Sequence, residues 1–169
     1  MVGGDLVGGC KMVAGYYIVK DNVCSTDTQQ INKGTIGRYE GPDGFLLKFG
    51  SLGRDIRVKE ADTVPLVDGQ PTVLRPICLK IEQGLEHVYK GERAEKSKER
   101  KYHMSQAEKL FLVVRGDFKY LGVSESAEQM KMAIEDFKHH WIDPKMHHKS
   151  GKFALEHVGK AVLCAHELL

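Results

Sequence analysis

The chain has 169 residues, the size of one ordinary domain or two small ones. Apolar residues make up 41% and charged residues 28%, which excludes a disordered or fibrous chain. The 25 Lys+Arg against 23 Asp+Glu leave a net charge of +2, too little for a protein that coats nucleic acid by bulk charge alone.

The longest apolar run, Leu110-Phe111-Leu112-Val113-Val114, is far short of the ~20 residues of a membrane helix. The opening Met1-Val2-Gly3-Gly4-Asp5 lacks the basic and apolar regions of a secretory signal, so no membrane partner and a cytoplasmic location are expected. Cys10, Cys24, Cys78 and Cys164 are scattered and form no C-x-x-C pair. Reduced thiols that fill the core are the expectation, and a zinc ribbon is not.

Residues 1–11 read as a flexible arm. Their glycines resemble a phosphate loop only superficially, because Lys11 falls one position late and neither Ser nor Thr follows it. Short β-rich runs come next: Tyr16–Val19, Thr35–Tyr39, Phe45–Phe49 and Asp55–Val58, each bounded by Gly, Asp, Asn or Pro. Gly41-Pro42-Asp43-Gly44 carries the turn chemistry of a hairpin between the second and third runs. Gly50-Ser51-Leu52-Gly53 returns the chain for the fourth. Four such strands make a small curled sheet that is expected to close as a barrel.

The stretch Ile31–Arg38, then Gly44–Phe49, then Ile56–Val58 followed by Glu60–Leu66, resembles a small SH3-like or KOW-like barrel over residues 12–67. The resemblance implies a module that binds protein or nucleic acid more often than it catalyses.

Asp68-Gly69-Gln70-Pro71 reads as a linker, and the spacing of Ile77, Ile81, Leu85 and Val88 suggests a helix after it. Residues 90–101 hold six basic and three acidic groups with no large apolar side chain, as either an exposed helix or a connector. The linker and basic helix together span 68–104. Ser105-Gln106-Ala107-Glu108 has the form of a capping box that opens a helix to about Leu121, although 110–114 also reads as a strand. Ala127, Met130, Ile134, Phe137 and Trp141 form a helical stripe, with Ser124 or Ser126 as cap and Pro144 as stop. Ala154, Val158, Ala161, Ala165 and Leu168 form another, with Ser150 as cap. These two helices should pack antiparallel in a bundle over 105–169, offering a surface for oligomerisation. The expected fold class is α+β: an N-terminal SH3-like antiparallel barrel followed by a C-terminal helical bundle.

For function the basic residues carry most. Arg93, Lys96, Lys98, Arg100 and Lys101 in the connector, joined by Lys33, Arg38, Lys48, Arg54 and Arg57 from the barrel, are the candidate nucleic-acid contacts. Glu92, Glu95 and Glu99 offset them if they pair along a helix face. Six of the eight histidines lie between 139 and 166, and His140, His147, His148 and His157 are the candidate ligands of a metal-dependent enzyme. No pair among them has i,i+4 spacing. The sequence therefore points to a non-enzymatic binding or adaptor protein without a cofactor, whose partner is nucleic acid or a complex that handles it. A metal enzyme built on the histidine-rich hairpin and a structural subunit of an assembly are the alternatives.

Overall fold

The computed structural model describes residues 13–24, 30–40, 46–49, 54–142 and 151–169. The N-terminal arm, the turns at 41–45 and 50–53, Pro144, His147, His148 and Ser150 lie outside them.

Seven strands are present among the described residues: β1 (Gly15–Val19), β2 (Val23–Cys24), β3 (Gln30–Ile31), β4 (Ile36–Tyr39), β5 (Leu46–Phe49), β6 (Arg54–Arg57) and β7 (Thr63–Pro65). Five form one antiparallel sheet in the order β6-β5-β4-β1-β7, and β2 pairs with β3 in a separate hairpin. The expected meander is there, with Arg38 opposite Lys48 between β4 and β5 and Leu47 opposite Ile56 between β5 and β6. A 3-10 turn at Glu60–Asp62 leads into β7, which pairs with β1 through Ile18 and Val64.

The barrel expected from the resemblance is not formed. The sheet is open: among the described residues β6 pairs only with β5 and β7 only with β1. A physical reason lies in the cover. Sheet closure is one way to bury an apolar face, and here helices bury it instead. The fold is α+β, an open antiparallel sheet with four α-helices, and the SH3-like assignment is corrected accordingly.

The helices are α1 (Arg75–Arg93), α2 (Ser97–Tyr120), α3 (Ser124–Phe137) and α4 (Gly151–Leu168), with a π turn at Lys138–Ile142 extending α3. Pro76 at the start of α1 suits a first turn whose N–H groups lack intrahelical partners. The α2 segment is one helix through 110–114, which removes the strand reading. It starts at Ser97, so Ser105-Gln106-Ala107-Glu108 lies inside it and is not its cap. The basic run 90–101 is split by a short break between the end of α1 and the start of α2.

Contacts along the helices show two antiparallel hairpins. Lys80 pairs with Asp117 at 2.7 Å while His87 meets His103 further along, so α1 and α2 run in opposite directions. Ser126 donates to the Ala161 carbonyl at 2.7 Å and His157 meets Gln129 at 2.8 Å, which orients α3 against α4 as expected. Ser126 is fully buried, so its hydroxyl ties two helices together and does not cap one.

Strand β1 shows the period of two at full contrast. Tyr16 and Ile18 join Ile36, Leu66 and the helical residues in one core, whereas Tyr17 and Val19 join Ile31, Tyr39 and Val58 on the opposite face. Element type changes near residue 70, but the core runs across that change. A second tie closes the far side. Gly34, at φ +93°, rests on the backbone of Glu156 and Lys160, and Gly159 faces the Gly34 carbonyl with no room for a Cβ. Asn32 donates to Glu156 at 3.2 Å beside this contact.

Cys78 is a buried free thiol whose pKa burial pushes up to about 12, and Cys164 is a half-buried one. No helix among the described residues is long and apolar enough to cross a membrane.

Candidate nucleic-acid interface

Register decides which polar groups meet the helices. Arg38 stands opposite Tyr16 in the β1–β4 ladder, so both side chains leave the sheet on the face that α1 covers. There Tyr16 donates a short hydrogen bond to Glu86, and Arg38 lies 3.4 Å from the same carboxylate and 2.6 Å from Glu40. Burial, reinforced by Glu86, holds the Tyr16 phenol well above its ordinary range, so it remains a donor at every physiological pH.

The Arg38 guanidinium also lies over the Tyr89 ring, 4.4 Å from its centroid, and Arg93 lies 3.6 Å from the same centroid. Two candidate contacts from opposite halves of the chain thus converge on one aromatic side chain. Arg93 additionally donates to the Tyr89 carbonyl at 3.4 Å. Cation–π stacking orients both guanidinium groups; the Arg38 edge is taken up by Glu40 and Glu86, and it is the exposed Arg93 whose remaining N–H groups suit a phosphate oxygen.

Next to this cluster, the break between α1 and α2 frames a cavity of about 380 Å³ lined by Tyr89, Lys90, Arg93, Ala94, Glu95, Lys96, Glu99 and His103. Of the five candidates in this stretch Arg93 and Lys96 line it, and Lys98, Arg100 and Lys101 are exposed on the first turn of α2. Arg100 donates to the Ala94 carbonyl at 3.1 Å and holds the break in shape. Among the described residues Lys90, Lys96, Lys98 and Lys101 have no carboxylate within ion-pair distance.

The expected acidic offset is weaker than the residue count implies. Glu95 and Glu99 are exposed, but both carboxylate oxygens of Glu92 are buried and without a hydrogen-bond partner. Burial pushes the Glu92 pKa up to about 7, against the opposing pull of Arg93. Burial therefore disfavours its charged form, and it offsets the neighbouring cations less than the sequence count implies. The spacing of Ile81, Leu85, Val88 and Glu92 carries the signal, because the glutamate continues the apolar stripe.

Among the remaining candidates Lys48 neighbours Arg38 in register, and Lys33 is far from it. Lys33 sits in the turn that docks on α4, and its N–H bonds Asn22 at 2.7 Å, toward the opposite end of β4 from Arg38. Lys48 lies in β5 directly across from Arg38, and Arg54 and Arg57 lie on the edge strand β6.

Of the histidine-hairpin candidates, His147 and His148 lie outside the described residues, and His140 and His157 are described. His140 lies in the π turn with its ring 4.5 Å from that of Trp141, and His157 on α4 bonds Gln129 and sits 3.8 Å from Asp136. Burial keeps the His157 pKa below its ordinary value, against the pull of Asp136. Among the described residues no three His, Cys, Asp or Glu side chains come together in a form that could hold a metal ion.

Sequence reasoning missed the contact between His87 and His103, whose Nδ1 atoms are 3.0 Å apart across α1 and α2. Burial, with His103 and Lys90, keeps the His87 imidazole below its ordinary pKa. No sequence spacing announces this pair, because it depends on the register of two helices.

No family model, curated protein sequence or solved structure matches the chain.

Proposed function

We propose that the protein is a non-enzymatic binding protein that contacts nucleic acid through the α1–α2 break. The observation that carries this reading is the set of exposed cations Arg93, Lys96, Lys98, Arg100 and Lys101 beside the Arg38–Tyr89–Arg93 stack, with the nearby Glu92 carboxylate buried. Lysines without carboxylate partners are free to exchange condensed counterions for phosphates, which is the main source of affinity for a nucleic-acid backbone. The adaptor role is supported by the solvent face of α2, where Tyr102, Val113 and Tyr120 stand exposed at helical spacing, Tyr120 at 92%.

The test is fluorescence anisotropy with single-stranded RNA and DNA oligonucleotides across a salt series. Three phosphate contacts on a single strand give a log–log salt slope of roughly −2. Neutralising Arg93, Lys96, Lys98, Arg100 and Lys101 together should abolish most binding and flatten that slope. The triple substitution Lys96→Ala, Lys98→Ala, Lys101→Ala leaves the Tyr89 stack and the Ala94 tie intact, and should flatten it in part. Failure of the native protein to bind either nucleic acid at low salt refutes the reading. So does unchanged affinity in the five-site variant.

A further inference from the structure

We propose that His87 and His103 form a two-histidine site for a late first-row divalent metal ion, Cu2+ or Ni2+ ahead of Zn2+, that clips α1 to α2. The argument is geometric and independent of the nucleic-acid reading. The two Nδ1 atoms are 3.0 Å apart, and the rings are tilted by 37° with centroids 5.2 Å apart. Two imidazole nitrogens bound at about 2.0–2.1 Å to one ion stand roughly 2.9 Å apart at a right angle and roughly 3.3 Å apart at the tetrahedral angle. The observed separation therefore fits adjacent positions of a square-planar or octahedral ion without helix movement, and a tetrahedral one with a shift of a few tenths of an ångström.

The frame around the pair is stiff. Gly91 of α1 lies directly against His103 and Met104 of α2, so the two backbones approach closely next to the ligands. Both imidazoles are only partly buried, so solvent reaches the pair, and the Tyr102 ring packs edge-on against both with centroids 6.2 and 5.2 Å away. Without metal, one Nδ1–H donates to the other Nδ1. Metal binding asks that donor ring to move its proton to Nε2, with no net proton released, and both rings to turn so that their Nδ1 lone pairs converge on an ion beside the N···N line. Imidazole pairs favour copper and nickel over the harder magnesium and calcium, which prefer oxygen.

The test uses the full chain without an affinity tag. Ni2+ should bind and raise the thermal midpoint, and His87→Gln/His103→Gln should remove that rise. His147→Gln/His148→Gln should retain it, since those residues belong to the histidine-rich segment and not to this pair. A midpoint that Ni2+ leaves unchanged in the native protein overturns the proposal, as does a rise that survives in the His87/His103 variant. If that variant does not fold, imidazole NMR of the native protein decides. Substoichiometric Cu2+ should broaden the His87 and His103 signals first, and broadening of other histidines first refutes the site.

Discussion

Glu92 offers the sharpest check on the energetics. Its carboxylate oxygens are buried and unpartnered, and burial moves its pKa from 4.5 to about 7. Below pH 4.5 the group is protonated in both folded and unfolded chains and contributes no pH dependence. Between 4.5 and 7 the unfolded chain gives up the proton first, so the folded state binds more protons and stability falls as pH rises. Above 7 both states are ionised and the full penalty is present. At ~1.4 kcal/mol per pKa unit the penalty is about 3 kcal/mol. Glu92→Gln keeps the shape and a neutral polar head, so it should match the native protein at pH 4.5 and exceed it by about 3 kcal/mol at pH 9. Urea denaturation of both proteins at pH 4.5, 6, 7.5 and 9 measures the difference, and titrations common to both cancel. A gap that stays constant across this range would show that the carboxylate is not desolvated, and the account of a weakened acidic offset at the α1–α2 break would fall with it.

Three glycines give further tests by the same unfolding assay. Gly116 is exposed on α2 with nothing near its missing Cβ, so Gly116→Ala should stabilise the protein by roughly 1 kcal/mol through helix propensity alone. Gly84→Ala meets Phe111 at 2.7 Å and should cost about 1–3 kcal/mol despite the same propensity gain. A stabilising Gly84→Ala would mean that α1 and α2 are less tightly packed than described. Gly159→Ala drives a methyl into the Gly34 carbonyl and should cost about 3 kcal/mol or more, since backbone cannot give way as a side chain can. An unaltered denaturation midpoint there would disprove the docking of the Gly34 turn on α4.

The sequence made some levels of this structure legible and hid others. The four main strands could be read because each is a β-branched or aromatic run cut off by Gly, Asp, Asn or Pro, and that chemistry acts locally. The hairpin of β2 and β3 could not, because two residues per strand carry no period. Helices α3 and α4 were visible as stripes. The start of α2 was obscured because residues 97–103 are almost wholly charged or polar, while Ser105 and Glu108 imitated a cap eight residues later. Barrel closure was the wrong inference because a strand pattern reports that a face is apolar, not what covers it. At the candidate site, the basic run was plain in the sequence. Its convergence with Arg38 on Tyr89 was not, since it depends on which β4 residue stands opposite Tyr16.

The fit of Gly34 against Gly159 also orders events during biosynthesis. The turn that carries Gly34 leaves the ribosome on the order of ten seconds before α4 at ~5–20 residues per second. Throughout that interval its seat on α4 does not exist, and the core that β1 shares with α4 stays incomplete. The turn at Gly34 is thus among the last elements to settle, long after its own synthesis.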